Sequence, residues 1–338
     1  MTAAVIALAL TGILTALAIA ASLPLLQRYA LARPNARSSH RQPTPQGGGW
    51  AVVAATLVVW LALLPLTTPL PGSAIVAAVA AAALLLGLLG AWDDLRTVGV
   101  GLRLAVQTAV VGAVIGVLAV DGRFLPWLGP WPFEWLMLTV VGVWFVNLVN
   151  FMDGLDWMTV AQMLPLTLAV GGFGLAGIVE PWTALLAAAL AGGLLGFAPF
   201  NKPTARLFLG DVGSLPIGFL AGVLILELVR AGHLTAALLL PLYYVADTGL
   251  TLARRILRRQ RFWQAHRTHY YQRATDHGMT PLQVARDVAV LNLALVALAT
   301  VTVVTMSWAI DVLALGLGAG LVGSCLWRFT RPRAAPIP

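Results

Sequence analysis

A chain of 338 residues that is 59% apolar and only 10% charged reads as an integral membrane protein. Its single cysteine, Cys325, excludes an internal disulfide and any cysteine-based metal cluster. The formal net charge of +8 does not indicate nucleic acid, because the basic residues lie between apolar runs and not on a soluble face, so anionic membrane lipids are the expected partner.

Apolar runs bounded by charge, or by Pro and Gly, place spans at 3–26, 49–68, 73–92, 102–120, 133–150, 158–178, 182–200, 212–230, 234–253, 284–306 and 311–328. This predicts an all-α, polytopic bundle of about eleven transmembrane helices, since a bilayer needs about 20 apolar residues per span. The first run has no basic segment before it and reads as a retained span, not a cleaved signal. Residues 1–338 form a single transmembrane domain, with polar loops 27–49, 93–102, 150–157, 201–212 and 254–283 gathered on one side. With the first of these loops inside, nineteen of the 21 lysines and arginines lie inside, leaving only Arg123 and Arg230 outside. The positive-inside rule then sets the N-terminus out and the C-terminus in.

The acids follow the same map. Asp93, Asp94, Asp153, Asp156 and Asp211 fall at cytoplasmic span ends, and Asp247 lies within the ninth span, where chance is a poor explanation for a carboxylate. Five carboxylates at one level repel unless a cation or basic side chains sit among them. Such a cluster beside arginines suits metal-assisted phosphoryl chemistry.

In chain order, Gly47-Gly48-Gly49 leads into the second span and reads equally as an anion-binding backbone nest or a flexible linker. Asp93-Asp94 closes the third span, where adjacent side chains diverge by about 100° and so can face different groups. The stretch from Asn147 through Asn150, Asp153 and Asp156 puts two amides and two carboxylates at a membrane edge. Gly210 and Gly213 flank Asp211 at the start of the eighth span, where amides and helix dipole favour a phosphate. Arg254 to Arg259 reads as an anchor on the lipid surface. His266 and His269 share a helix face with Arg273 one turn on, a spacing that suits a transition metal and, with these neighbours, suits phosphate better.

Together these stretches, in this order from Pro34 to Arg273, resemble the polyprenyl-phosphate N-acetylhexosamine-1-phosphate transferase family of bacterial inner membranes. That resemblance implies a multi-pass enzyme with a cytoplasmic active site that joins a sugar 1-phosphate from a UDP-N-acetyl amino sugar to undecaprenyl phosphate and releases UMP. It implies Mg²⁺, replaceable by Mn²⁺, on Asp211 with Asn150 in the same shell. Asp93 would be the base for the lipid phosphate and Asp94 would support the metal or substrate site. Asp156 and Asp153 would belong to the uridine pocket, and Arg103, His266, His269 and Arg273 would meet phosphates. The segment 263–273 is most similar to the branch that starts O-antigen or other surface glycans. It lacks the three consecutive histidines of the peptidoglycan relatives, which leaves phospho-N-acetylmuramoyl-pentapeptide transfer as the alternative. Gln46 replaces the family's usual basic residue, so that loop is assigned no contact. A homodimer is an allowed assembly. A secondary transporter is the competing class, but its ionisable residues should sit near the bilayer midplane and not at span ends.

Overall fold

The computed structural model describes residues 2–32, 43–67, 70–260 and 267–332. The helices are α1 (Thr2–Tyr29), α2 (Gly49–Leu63), α3 (Ser73–Leu95), α4 (Val100–Leu118), α5 (Trp131–Met152), α6 (Met158–Leu175) and α7 (Pro181–Phe197). They continue with α8 (Asp211–Arg230), α9 (Leu234–Leu239), α10 (Leu242–Leu257), α11 (Tyr270–Asp276), α12 (Pro281–Thr305) and α13 (Trp308–Phe329). Two short strands, β1 (Leu31–Ala32) and β2 (Thr44–Pro45), pair antiparallel with Leu31 opposite Pro45. Helices dominate because hydrocarbon offers no partner to backbone N–H and C=O groups, which a helix satisfies internally.

Among the described residues nine helices are long and apolar enough to cross a bilayer: α1 to α6, α8, α12 and α13. They match nine of the eleven predicted runs; the run 182–200 is also an apolar helix, the slightly shorter α7, and only the run 234–253 departs. The 17-residue α7 is almost entirely buried, packed against α1, α2 and α6. Its Ala, Gly and Leu composition lets neighbouring backbones approach closely.

The run 234–253 is not one helix but α9 and α10, separated at Leu240 and Pro241. Pro241 lacks the N–H that would continue the ladder. The amide of Gln162, on α6, donates to the Leu240 carbonyl at 2.9 Å and so serves the backbone at the break. A buried broken helix is tolerated where protein groups replace the lost backbone partners.

Helix α8 packs against α2, α3 and α5 and begins at Asp211. The C-terminal ends of α3 and α5 and the N-terminal ends of α4 and α8 therefore meet at one level. The closest approach is at Gly90 of α3, where an added Cβ would lie 2.1 Å from the Asp211 carbonyl oxygen. No side chain fits there unless the helices separate. Gly90→Ala should accordingly cost about 1–3 kcal/mol through overpacking. Gly101→Ala on α4, where an added Cβ meets nothing within 4 Å, should be neutral or slightly stabilising. Melting of the two purified variants in detergent checks this. Equal melting temperatures would contradict the packing of α3 on α8.

Candidate active site

The centre of the site is Arg103, in the first turn of α4. Its Nη1 donates to Asp93 Oδ2 at 2.6 Å and to Asp211 Oδ2 at 3.0 Å, and its Nη2 donates to Asn150 Oδ1 at 2.6 Å. One guanidinium thus ties α3, α5 and α8 to α4. The Asn150 amide nitrogen donates in turn to Asp211 Oδ1 at 2.7 Å and to Ser214 Oγ at 2.8 Å. Asp93 Oδ1 accepts the Val98 N–H at 2.7 Å, which orients it towards Arg103. One turn deeper, Asn147 donates to Gln107 at 2.6 Å and forms a second polar rung between α4 and α5.

Asp94 has a different occupation. Its two oxygens accept the N–H groups of Asp211 and Val212, each at 3.0 Å, so it caps α8 from a neighbouring helix. This answers two of the free amides at a helix start and places negative charge at the positive end of the dipole. Gly210 precedes the cap with φ +76°, and a Cβ there would sit 2.7 Å from Asp94 Oδ2. In this arrangement Asp94 sets the position of Asp211.

The glycine-rich stretch is neither an open nest nor a linker. Gly48 and Gly49 donate to the carbonyls of Phe208 and Leu209 at 2.9 and 2.8 Å, which stitches the start of α2 to the approach to Asp211. Gln46, to which the sequence assigned no contact, donates through Nε2 to the Asp94 carbonyl at 3.1 Å. Ser214, Gln107 and Gln46 are the site-lining residues that sequence reasoning missed. Ser214 lies one turn after Asp211, a spacing that could have marked it.

Beyond α5 the chain turns through Asp153 and Asp156. The Thr159 hydroxyl donates to Asp153 Oδ1, and the Ala205 N–H donates to Asp156 Oδ2 at 3.0 Å. Helix α11 closes over this turn, with the Tyr271 hydroxyl donating to the Phe151 carbonyl at 3.0 Å. Asp247, fully buried on α10, accepts the N–H groups of Tyr270 and Tyr271 at 3.0 and 3.1 Å and lies 3.2 Å from His269 Nδ1. The acid in the ninth run is therefore the cap of α11. His269, only 3% exposed, faces Asp247 as the first flanking residue of α11, so its ring is turned away from solvent. The Arg273 guanidinium lies 5.7 Å from the Tyr270 ring centre. Arg254, read as part of a lipid anchor, donates to the Tyr270 hydroxyl at 2.7 Å. His266 lies outside the described residues.

The half-buried Asp153 shows the electrostatic character of the pocket. Burial pushes its carboxyl up from 3.8 to about 8. The Thr159 hydrogen bond opposes this shift, and the charges of Asp211, Asp94 and Asp156 add to it. With the folded value above the unfolded one, the folded protein holds an extra proton between about pH 4 and pH 8. Stability must then fall as pH rises through that window and level off above it. In chelator, the melting temperature of the wild type should decline from pH 5 to 8, and Asp153→Asn should show a shallower decline. Equal slopes for the two proteins would contradict the assignment.

The sequence also has recognisable relatives. Residues 76–229 match the model of glycosyl transferase family 4. The chain is 33% identical over 183 residues to a phospho-N-acetylmuramoyl-pentapeptide-transferase of Lactiplantibacillus plantarum, covering 49% of this chain and 55% of the relative. It is 30% identical over 227 residues to the protein of the same name in Lacticaseibacillus paracasei, covering 61% and 67%. It is also 30% identical over 241 residues to a decaprenyl-phosphate N-acetylglucosaminephosphotransferase of Mycolicibacterium smegmatis, covering 66% and 57%. These matches span between about half and two thirds of each relative's length. With four helix ends converging on Asp93, Arg103, Asn150 and Asp211 inside the matched region, the chain belongs to the polyprenyl-phosphate hexosamine-1-phosphate transferase family.

Proposed function

We propose that this protein transfers an N-acetylhexosamine 1-phosphate from a UDP-sugar to a polyprenyl phosphate such as undecaprenyl phosphate, and that it does so at the cytoplasmic face of a bacterial inner membrane. The observation that carries the reading is a juxtaposition. An almost wholly apolar groove of about 210 Å³ between α4, α5, α8, α9 and α10 begins about one helical turn from the Arg103 cluster on α5 and α8. Val146 and Gly218 line that groove, each four residues, or about 6 Å of helix rise, from Asn150 and Ser214, so a phosphate at the cluster could carry its hydrocarbon tail towards the groove. A soluble donor and a lipid acceptor need such a boundary. A transporter would instead place its charges near the midplane.

The donor set fits Mg²⁺. Oxygens of Asp93, Asp211 and Asn150 converge within 3.0 Å of the Arg103 guanidinium, so they already surround a cation. Among the described residues no three His, Cys, Asp or Glu side chains form a metal cage. Mg²⁺ usually keeps several waters and is held by one or two protein oxygens together with substrate phosphates. Asp211 and Asn150 would hold it, and bound there it would offset the charge of the two phosphates that must meet.

In this reading an oxygen of the lipid phosphate attacks the sugar-bearing phosphorus of the UDP-sugar. The bond from that phosphorus to the oxygen bridging the two donor phosphates breaks, and its electron pair stays on that oxygen, which leaves as part of UMP. Arg103 swings its charge from the carboxylates to the phosphates, and Asp93, released from Arg103, takes the acceptor's remaining proton when one is present. Asp153 and Asp156 would form the wall on the donor side, and Arg273 of α11 would meet a phosphate there. Most of the similar relatives carry the muramoyl-pentapeptide name, so that donor is the second reading. The segment around His269 favours a plain amino sugar and a role in O-antigen or other surface-glycan synthesis.

The test uses membrane vesicles loaded with undecaprenyl phosphate. Inside-out vesicles given Mg²⁺ and UDP-N-acetylglucosamine should release UMP, whereas right-side-out vesicles should not. Asp211→Asn should lower the rate by a factor of about 100 or more while inserting normally, because loss of metal stabilisation removes several kcal/mol from the transition state. UMP release only from the UDP-muramoyl-pentapeptide would select the second reading. Near-normal turnover by Asp211→Asn would remove it from the metal site.

A further inference from the structure

Trp157 follows Asp156 and has φ 62° and ψ 1°, the left-handed region that a bulky side chain rarely adopts. Strain of this kind persists only where surrounding contacts fix it, and at a site it points to a role. The contacts are specific. The Trp157 backbone N–H donates to Asn201 Oδ1 at 2.8 Å, and its indole Nε1 donates to the Ala198 carbonyl, at the C-terminal end of α7, at 2.7 Å. Asn201 passes the restraint on by donating to the Leu207 carbonyl at 3.0 Å. The neighbouring Asp156 accepts the Ala205 N–H. Two consecutive residues thus grip the 198–207 segment at three points, and that segment leads through Gly210 into Asp211.

The clamp takes no part in the apolar groove. The groove is lined by residues of α4, α5, α8, α9 and α10 and their connection, and by none from α6, α7 or 198–207. We propose that Trp157 is a positioning residue for the donor half of the site, holding the 198–207 segment and Asp156 in register with Asp211 and leaving acceptor binding untouched. This inference rests on the transfer reading above and assigns one half-reaction partner to one part of the fold. The strained backbone is maintained because the indole must reach Ala198 from residue 157. Phenylalanine keeps the ring but lacks that donor. Glycine relaxes the backbone and loses both ring and donor.

Steady-state transfer by the full-length protein in detergent, with UDP-N-acetylglucosamine and undecaprenyl phosphate varied separately, tests this. Trp157→Phe should raise the KM for the UDP-sugar about 3- to 10-fold, the size of one lost hydrogen bond. The KM for the lipid should stay within twofold, and the melting temperature should change little. Trp157→Gly should raise the donor KM further, again without moving the lipid KM. Calorimetric titration with UMP should show a loss of affinity in each variant that parallels its rise in donor KM. An unchanged donor KM in Trp157→Phe, or equal rises for donor and lipid, would overturn the proposal and leave the transfer reading standing. A variant that melts several degrees lower but keeps both KM values in its active fraction would also overturn it, because Trp157 would then serve the fold alone. A wild-type protein that neither releases nor binds UMP would sink both.

Discussion

The site depends on one cation, the Arg103 guanidinium, shared between Asp93, Asp211 and Asn150. Without it, two carboxylates from different helices would face one another at the edge of a membrane. Breaking a buried ion pair by removing one partner costs about 3–5 kcal/mol, and somewhat less is expected where solvent reaches the carboxylates, as it does here. The same contacts that hold α3, α4, α5 and α8 together also keep three oxygens aimed at one point. In the proposed reaction, phosphates arriving at this cluster would compete for Arg103 with its own carboxylates.

Around this centre the protein uses carboxylates to start helices. Asp94 caps α8 and so fixes Asp211, while Asp247 caps α11 and so fixes Tyr271 against the turn after α5. In each case an acid from one helix meets the amides of another, which is an inexpensive way to hold a short or buried helix start at a lipid boundary. Helix α10 has Val245 on the groove and Asp247 on α11, so a single helix touches both the groove and α11.

Much of the fold was legible because hydrocarbon leaves few options. Apolar runs between charges became helices, and two of the five acids expected at one level, Asp93 and Asp211, meet at Arg103. The departures have physical causes. Pro241 was visible inside the ninth run, but the Gln162 amide that serves the broken backbone comes from a helix about 80 residues away in sequence, and no local pattern announces it. Asp94 looked equivalent to Asp93, yet it meets α8 amides because Gly90 lets α8 pass so closely, which is a property of three-dimensional packing. His269 sat on a plausible phosphate-facing surface until Asp247, 22 residues earlier, claimed its ring. Gln46 and Ser214 are ordinary polar residues whose importance comes only from their partners.

The most direct measurement is a double-mutant cycle on Arg103 and Asp211 in the ligand-free protein, read as unfolding stability of wild type, Arg103→Gln, Asp211→Asn and the double variant. If one guanidinium neutralises the joined carboxylates, the double variant should lose less stability than the sum of the single variants, with a coupling of about 1–3 kcal/mol. Losses that add to within about 0.5 kcal/mol would show that the two side chains do not depend on each other, and would contradict the central place given to Arg103.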